Sequence, residues 1–504
     1  MKSNFKPLAI TAAVAAVSAG YAHAQSTTLS TNGLGDAAIV PYYTVQEGLT
    51  TGIHITNTSA TDTVAVKLRL RRGSDSMDAL DFNIVMSPND VWTGGIGLNS
   101  DGNVQISTND NSCTAPQSVA DDGVAVMPST GFPEGAKEGY IEVIAMGQVG
   151  PTAPAAILAL HGSDGVPADC ATVEQNFERH LPSAPNNTIG SSTFGTFNSE
   201  TTVSTDPNSP TTRTVTTTWG APEDVLAVSW FISDTQGGLE LGNQAVMLSD
   251  FVDANAWMTN QRAIEALGGA TKFDPLNFEW PDLNGGPVDG PINPNGIVNP
   301  RVKFEQLRST TVLGAPGVAN DWSVNPANSV GTDWVVTMPG QYTMVDIKDW
   351  VELLADGKDP AGSAFDRRDL PVLLNYRYYD REEQDYMDPA APDGGLSISP
   401  AIDDKPPGID DVLVNEVNVI EWSDTAVLGS QYAQSFDVSI AGAANGWAAL
   451  SVTPSTAKAP QAVWDPNTDG TFTGTLAPVT NINPTTTLSN PPIIGFAVWE
   501  RNFG

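Results

Sequence analysis

Residues Val64 to Arg71 alternate without a break. Val64, Val66, Leu68 and Leu70 share one face, and Ala65, Lys67, Arg69 and Arg71 share the other. A period of two sends successive side chains to opposite sides of a strand, so one side reads as core and the other as solvent-facing. That pattern belongs to an antiparallel sheet covered on one side only. Thr51 to Thr56 repeats it, with Ile53 and Ile55 pointing inward. Asn57 to Asp62 makes a turn, and Ser87-Pro-Asn-Asp90 separates two further strands, Asp81 to Met86 and Val91 to Ile96. Ala38 to Val45 is another strand, which Pro41 confines to a sheet edge or a bulge. Short strands at this spacing predict a two-sheet sandwich.

The composition agrees. Among 504 residues there are 46 Gly and 37 Pro, which favours turns over long helices. Charged residues are only 16%, against a typical ~25%, so much of the polar surface is Thr, Ser, Asn and Gly. The few charges are one-sided: 58 acidic against 23 basic side chains, a net charge of −35. Such a chain repels phosphate, which argues against nucleic acid and anionic membrane as partners.

The N-terminus reads as a signal peptide, residues 1–24. Lys2 and Lys6 precede an apolar run from Leu8 to Ala19, and Ala22-His-Ala24 offers small residues for cleavage before Gln25. The expected destination is the cell surface or the medium, with the periplasm open. No later segment holds eighteen uninterrupted apolar residues, so no membrane insertion is expected. Two cysteines follow, Cys113 and Cys170, and an even count in an exported chain predicts one disulfide.

Further along, Tyr140 to Met146 is a strand, and Thr201 to Trp219 reads as a hairpin folded about Asp206 to Pro210. Asp224 to Ile232 is an apolar strand. Two helical insertions are predicted, Ser249 to Leu267 and Asp346 to Ala355, from apolar residues at helical spacing. After the aromatic strand Val372 to Tyr379 comes a Pro-rich linker, 388–408, then strands at Val412 to Trp422, Ser435 to Ile440, Trp447 to Val452 and Ile493 to Glu500. The predicted partition is therefore an N-terminal sandwich at 25–165, a β-rich middle region at 166–387 and a C-terminal sandwich at 409–504.

The order of strands and turns from Thr51 to Ile96 resembles bacterial immunoglobulin-like domains. Gly33 to Val45, Asp90-Val-Trp-Thr93 and Gly139 to Gly147 are also similar to segments of uncharacterised exported proteins of marine gammaproteobacteria. The resemblance implies a mainly β chain of immunoglobulin-like sandwiches, exported, and implies no active site.

Catalytic signatures are missing from the sequence: there is no Gly-x-Ser-x-Gly turn, no His-Glu-x-x-His, no Cys-x-x-Cys and no phosphate loop. His161, Ser163 and Asp164 have the residue types of a triad, but neighbours on one tight turn do not form its chain of hydrogen bonds. Two segments stay as binding candidates. In Tyr376 to Tyr386, aromatics and acids mingle; Tyr376, Tyr378, Tyr379, Glu382 and Glu383 can present ring faces and carboxylates to a sugar. Such a segment fits a carbohydrate-binding module or a two-carboxylate glycosidase. In Asp465 to Thr471, the residues Asp465, Asn467 and Asp469 alternate, Gly470 supplies the bend and Thr471 a carbonyl, as in the first half of a calcium loop. Leu476 stands where the closing acid belongs, so calcium would be weakly held, and an ordinary hairpin turn fits equally. The leading expectation is a non-catalytic structural or adhesive protein whose partners are cell-surface proteins or polysaccharide. A calcium-stabilised ligand binder is the third reading.

Overall fold

A computed structural model describes residues 26–178, 193–199, 213–258, 281–285, 302–340, 372–382, 412–454, 462–463, 477–478 and 491–501, with short gaps inside several of these ranges. The chain is mainly β, and its sheets pack as sandwich-like layers.

The first sandwich begins with β1 (Thr28–Leu29), β2 (Ala37–Thr44), β3 (Leu49–Asn57), β4 (Thr63–Arg72), β5 (Asp78–Met86) and β6 (Val91–Leu98). It continues with β7 (Val104–Thr108), β8 (Cys113–Ala115), β9 (Val119–Asp121), β10 (Val124–Val126) and β11 (Glu138–Val149). Two short helices follow, α1 (Pro154–Ala159) and α2 (Cys170–Glu178), then a hairpin of β12 (Thr193–Ser199) and β13 (Arg213–Thr218). The strands β14 (Leu226–Asp234), β15 (Glu240–Gln244) and β16 (Val246–Ser249) return to the sandwich. One seven-stranded sheet has the order β1-β16-β2-β11-β4-β5-β8, and the facing one β15-β14-β3-β6-β7-β10-β9. Between them lie Val64, Val66, Leu68 and Leu70 with Phe82, Ile84, Trp92 and Ile53.

Pro41 sits in β2, an interior strand between β11 and β16, although β16 pairs only with Ala37 to Ile39. The bulge alternative applies instead: the β11–β2 register slips between Gly139 and Ile141, opposite the stretch from Val40 to Tyr43. A residue without an N–H is tolerated where a ladder bond is skipped.

After α3 (Val302–Leu307), a second sandwich forms from β17 (Gly317–Ser323), β18 (Val330–Thr337), β19 (Val372–Asp380), β20 (Val412–Leu413), β21 (Val417–Trp422), β22 (Ala433–Phe436) and β23 (Asn445–Pro454). Two-residue strands β24 (Ala462–Val463) and β25 (Ala477–Pro478) pair with each other, and β26 (Ile494–Arg501) closes the set. One four-stranded sheet runs β17-β23-β19-β20, the other β22-β21-β18-β26. Strand pairing therefore crosses the boundaries drawn at 165 and at 388–408. Strands β14 to β16 complete the first sandwich, while β17 to β19 pair with strands beyond the linker. Local pattern marks strands but carries no long-range register, which is why the boundaries fell elsewhere.

The two sandwiches touch. The Thr337 hydroxyl donates to the Pro41 carbonyl at 2.6 Å, and Gln431 N–H donates to Glu138 at 2.8 Å. Phe496 packs on Tyr42 and Trp230.

The helices differ from expectation. Ser249 ends β16, and residues 250–252 and 256–258 are not helical; residues 253–255 and 259–267, and all of 346–355, lie outside the described residues. The observed α1 starts on Pro154, whose missing N–H costs nothing in a first turn. At α2, the Asp169 carboxylate accepts Thr172 N–H at 3.0 Å, a side-chain cap that a sequence so rich in Pro and Ala concealed. The Cys113–Cys170 disulfide is formed, with Cα atoms 4.9 Å apart and a sequence separation of 57. It fastens α2 to the edge strand β8.

Candidate functional site

Two polar faces stood out in the sequence, and the structure treats them oppositely. On β4, the face expected to be wet is buried: Lys67, Arg69 and Arg71 are almost wholly enclosed. Lys67 Nζ lies 3.0 Å from Asp81 Oδ2, and Arg69 Nη2 3.3 Å from the same atom. Arg71 meets Glu142 through Nε at 3.1 Å and Nη2 at 3.4 Å, and Asp282 at 3.7 Å. Burial pushes the Glu142 carboxyl up, and Arg71 and Arg69 oppose that shift. Beyond this ladder Ala65 and Val85 pack under α1 and α2, with Cys113, Leu158 and Phe177. The alternation was right about which residues share a side; it does not say what covers that side.

The aromatic strand β19 lies inside the second sandwich, antiparallel to β23. Its alternation separates neighbouring tyrosines. Tyr378 points inward and is 3% exposed. It sits edge-on to Trp322 at 6.5 Å and Trp422 at 6.2 Å, in a core that also holds Trp334 and Phe436. Tyr378 is therefore a core residue and not a surface contact. Tyr379 points outward, opposite Trp447 on β23, and the rings stack with centroids 4.6 Å apart and planes 13° apart. Trp447 remains 44% exposed. Asp321 of β17 is the next residue along the same row, and Arg377 precedes Tyr379 on that face by one pleat; both are exposed.

Beneath this row runs the wall of tryptophans. Gly446 faces Trp322, and a Cβ there would overlap the Trp322 ring and the Tyr379 carbonyl. The close approach of β19, β23 and Trp322 thus depends on that glycine.

The remaining candidates are quickly placed. Tyr376 lies on β19 opposite Leu450. Glu382 is exposed just beyond β19, its N–H donated to Asp380 at 2.9 Å. Glu383 lies outside the described residues, as do Asp465, Asn467, Asp469 and Thr471, so the calcium loop has no structural account. Sequence reasoning marked the strand containing Trp447 but did not join it to Tyr379. The usable signal was a tryptophan at an outward position of an alternating strand, followed by inward Ala448 and Leu450.

His161 does meet a serine and an aspartate, though not its sequence neighbours. Its Nδ1 is 3.0 Å from Ser87 Oγ and 3.8 Å from Asp90 Oδ2. Both address the same ring nitrogen, whereas a triad needs them on opposite nitrogens. Asp90 serves the turn instead, accepting Ser87 N–H and the Ser112 hydroxyl, each at 3.1 Å. Burial raises its pKa, with His161 opposing and Asp110 adding to the rise. The cluster clasps the loop after α1 to the β5–β6 turn.

No protein-family model, curated protein or solved structure matches this chain. Among the described residues no helix is long and apolar enough to cross a membrane.

Proposed function

We propose that this chain is an exported surface protein that acts by contact, without turnover, through the outer face of the β17-β23-β19-β20 sheet. The observation that carries the reading is the solvent-facing Tyr379–Trp447 stack, mounted over a packed aromatic core. Leaving a large aromatic ring half in water forfeits much of the stabilisation its burial would give, of the order of 2 kcal/mol, so such a ring is suited to closing against something else. An open sheet face presents a broad contact surface rather than a cleft around a reacting atom. Export is supported by the basic, apolar and small-residue order of the first 24 residues and by a disulfide, which suits an oxidising compartment.

The test has two arms. Epitope-tagged chain is followed by fractionation of its source cells, where the account expects a processed form outside the cytoplasm. Beads coated with mature protein are then mixed with those cells. Beads carrying the double variant Tyr379→Ala/Trp447→Ala should retain far fewer cells than wild-type beads; equal retention contradicts the choice of face.

A further inference from the structure

The chemistry of the outward row narrows what it would take. Resting on the contact reading above, we propose that the Tyr379–Trp447 stack is a glycan platform that receives a neutral pyranose on the free face of Trp447, with Asp321 and Arg377 hydrogen-bonding its hydroxyls.

A pyranose has an apolar face of axial C–H bonds and a rim of hydroxyls. The row offers the matching shape: a flat ring system with a carboxylate acceptor one strand away and a guanidinium donor one pleat away. Stacking of Tyr379 on one face of Trp447 fixes the indole plane, so little side-chain freedom is left to lose when a ring settles on the other face. The sheet is also stiffened from below by Trp322 and Trp422, themselves stacked with centroids 5.9 Å apart. A cross-strand aromatic pair needs only the facing sides of its rings for mutual stabilisation. That role does not use the exposed side of Trp447, nor the polar groups bracketing it.

Charge selects among ligands with flat faces. At a net −35 the chain repels nucleic acid bases, which bring phosphates with them, and it repels acidic polysaccharides. Asp321 opposes anions locally as well. A neutral glycan meets no such penalty, and one hydroxyl can donate to Asp321 while another accepts from Arg377.

The experiment is depletion of the purified full-length mature chain from solution by insoluble cellulose, chitin and starch, with alginate beads as the anionic comparison. Wild type should be depleted by at least one neutral polysaccharide and not by alginate. Trp447→Ala should reduce the bound fraction about tenfold or more, Trp447→Phe should retain most of it, and Asp321→Asn should weaken it while the stack stays intact. Near-ultraviolet circular dichroism of each variant checks that the core is unchanged. Asp321→Asn, on an exposed edge strand, keeps the test decisive if Trp447→Ala fails to fold. No depletion by any neutral polysaccharide overturns the glycan platform. If source cells are still retained on beads in that case, the contact reading stands and a surface protein becomes the partner; if they are not, both fall. Equal depletion of wild type, Trp447→Ala and Asp321→Asn overturns the siting, and preferential binding to alginate overturns the neutral class.

Discussion

Strands β4 and β19 carry similar alternating patterns and end in opposite surroundings. Both send one set of side chains into a sandwich core. The other set on β4, Lys67, Arg69 and Arg71, is covered and paired with Asp81, Glu142 and Asp282. The other set on β19 includes Arg377 and Tyr379 and faces outward, where Tyr379 meets Trp447. A chain with only 23 basic residues thus buries a run of them in one strand and leaves aromatic rings outside. The first arrangement fixes a layer inside the protein; the second leaves a surface for something beyond it.

The comparison breaks most readily at Asp81. Replacing it by Ala removes the carboxylate shared by Lys67 and Arg69 inside a dry layer. The expected loss in chemical denaturation is about 3–5 kcal/mol, the cost of breaking a buried ion pair. A loss under about 1 kcal/mol would mean that this face is as wet as an ordinary surface.

Adjacent tyrosines sharpen the contrast on β19. Tyr378→Ala empties a place in the tryptophan core and should cost about 3–5 kcal/mol, whereas Tyr379→Ala should cost about 0.5–1.5 kcal/mol, the worth of an aromatic pair. Denaturation midpoints of the two variants measured side by side check this. Equal losses would erase the inward and outward assignment.

Reducing the Cys113–Cys170 bond loosens α2 over the covered face of the first sandwich. The typical cost is about 2–4 kcal/mol, and the chain-entropy limit for this loop is about 4 kcal/mol. The loss should be confined to the first sandwich, so fluorescence of the tryptophan core in the second should shift at an unchanged midpoint.

How much of this was legible beforehand depended on range. Strands β3 and β4 announced themselves by alternation, and β5, β6 and β11 as short apolar runs, because these signals are local and the core is apolar. The cover over β4 was not legible, since Asp282 and Glu142 are remote from Arg71 in sequence. The outward ring of Trp447 was visible as a residue but not as a partner, because pairing between neighbouring strands is fixed by register. Tyr378 and Tyr379 could not be told apart as contacts until the side facing the core was known. Helices α1 and α2 were missed for another reason: Asp169 and Pro154 are local signals, but they sat in a segment whose Pro and Gly content reads as loop.

A smaller effect concerns protons, and here the two sandwiches agree. Asp36 accepts N–H bonds from Phe251 and Val252 at 2.9 and 2.7 Å; Asp333 accepts from Val427 and Leu428 at 2.9 and 2.8 Å. Burial pushes each carboxyl up to about 7, against the lowering effect of those bonds. An acid whose folded value lies above its unfolded value of 3.8 keeps its proton longer in the fold. Its contribution to stability is full below about pH 4 and is lost as pH rises toward 7. Denaturation midpoints should fall across that window, and the fall should be shallower in Asp36→Asn. A midpoint that rises with pH would contradict the sign.

The most direct test of the open face is hydroxyl-radical footprinting read by mass spectrometry, on the free protein and on protein bound to its source cells or to a depleting polysaccharide. The account predicts rapid oxidation of Trp447 and slow oxidation of Tyr378 in the free chain, with Trp447 protected on binding and Tyr378 unchanged. Oxidation of Trp447 at the same rate in free and bound protein would contradict the assignment of this face as the contact surface.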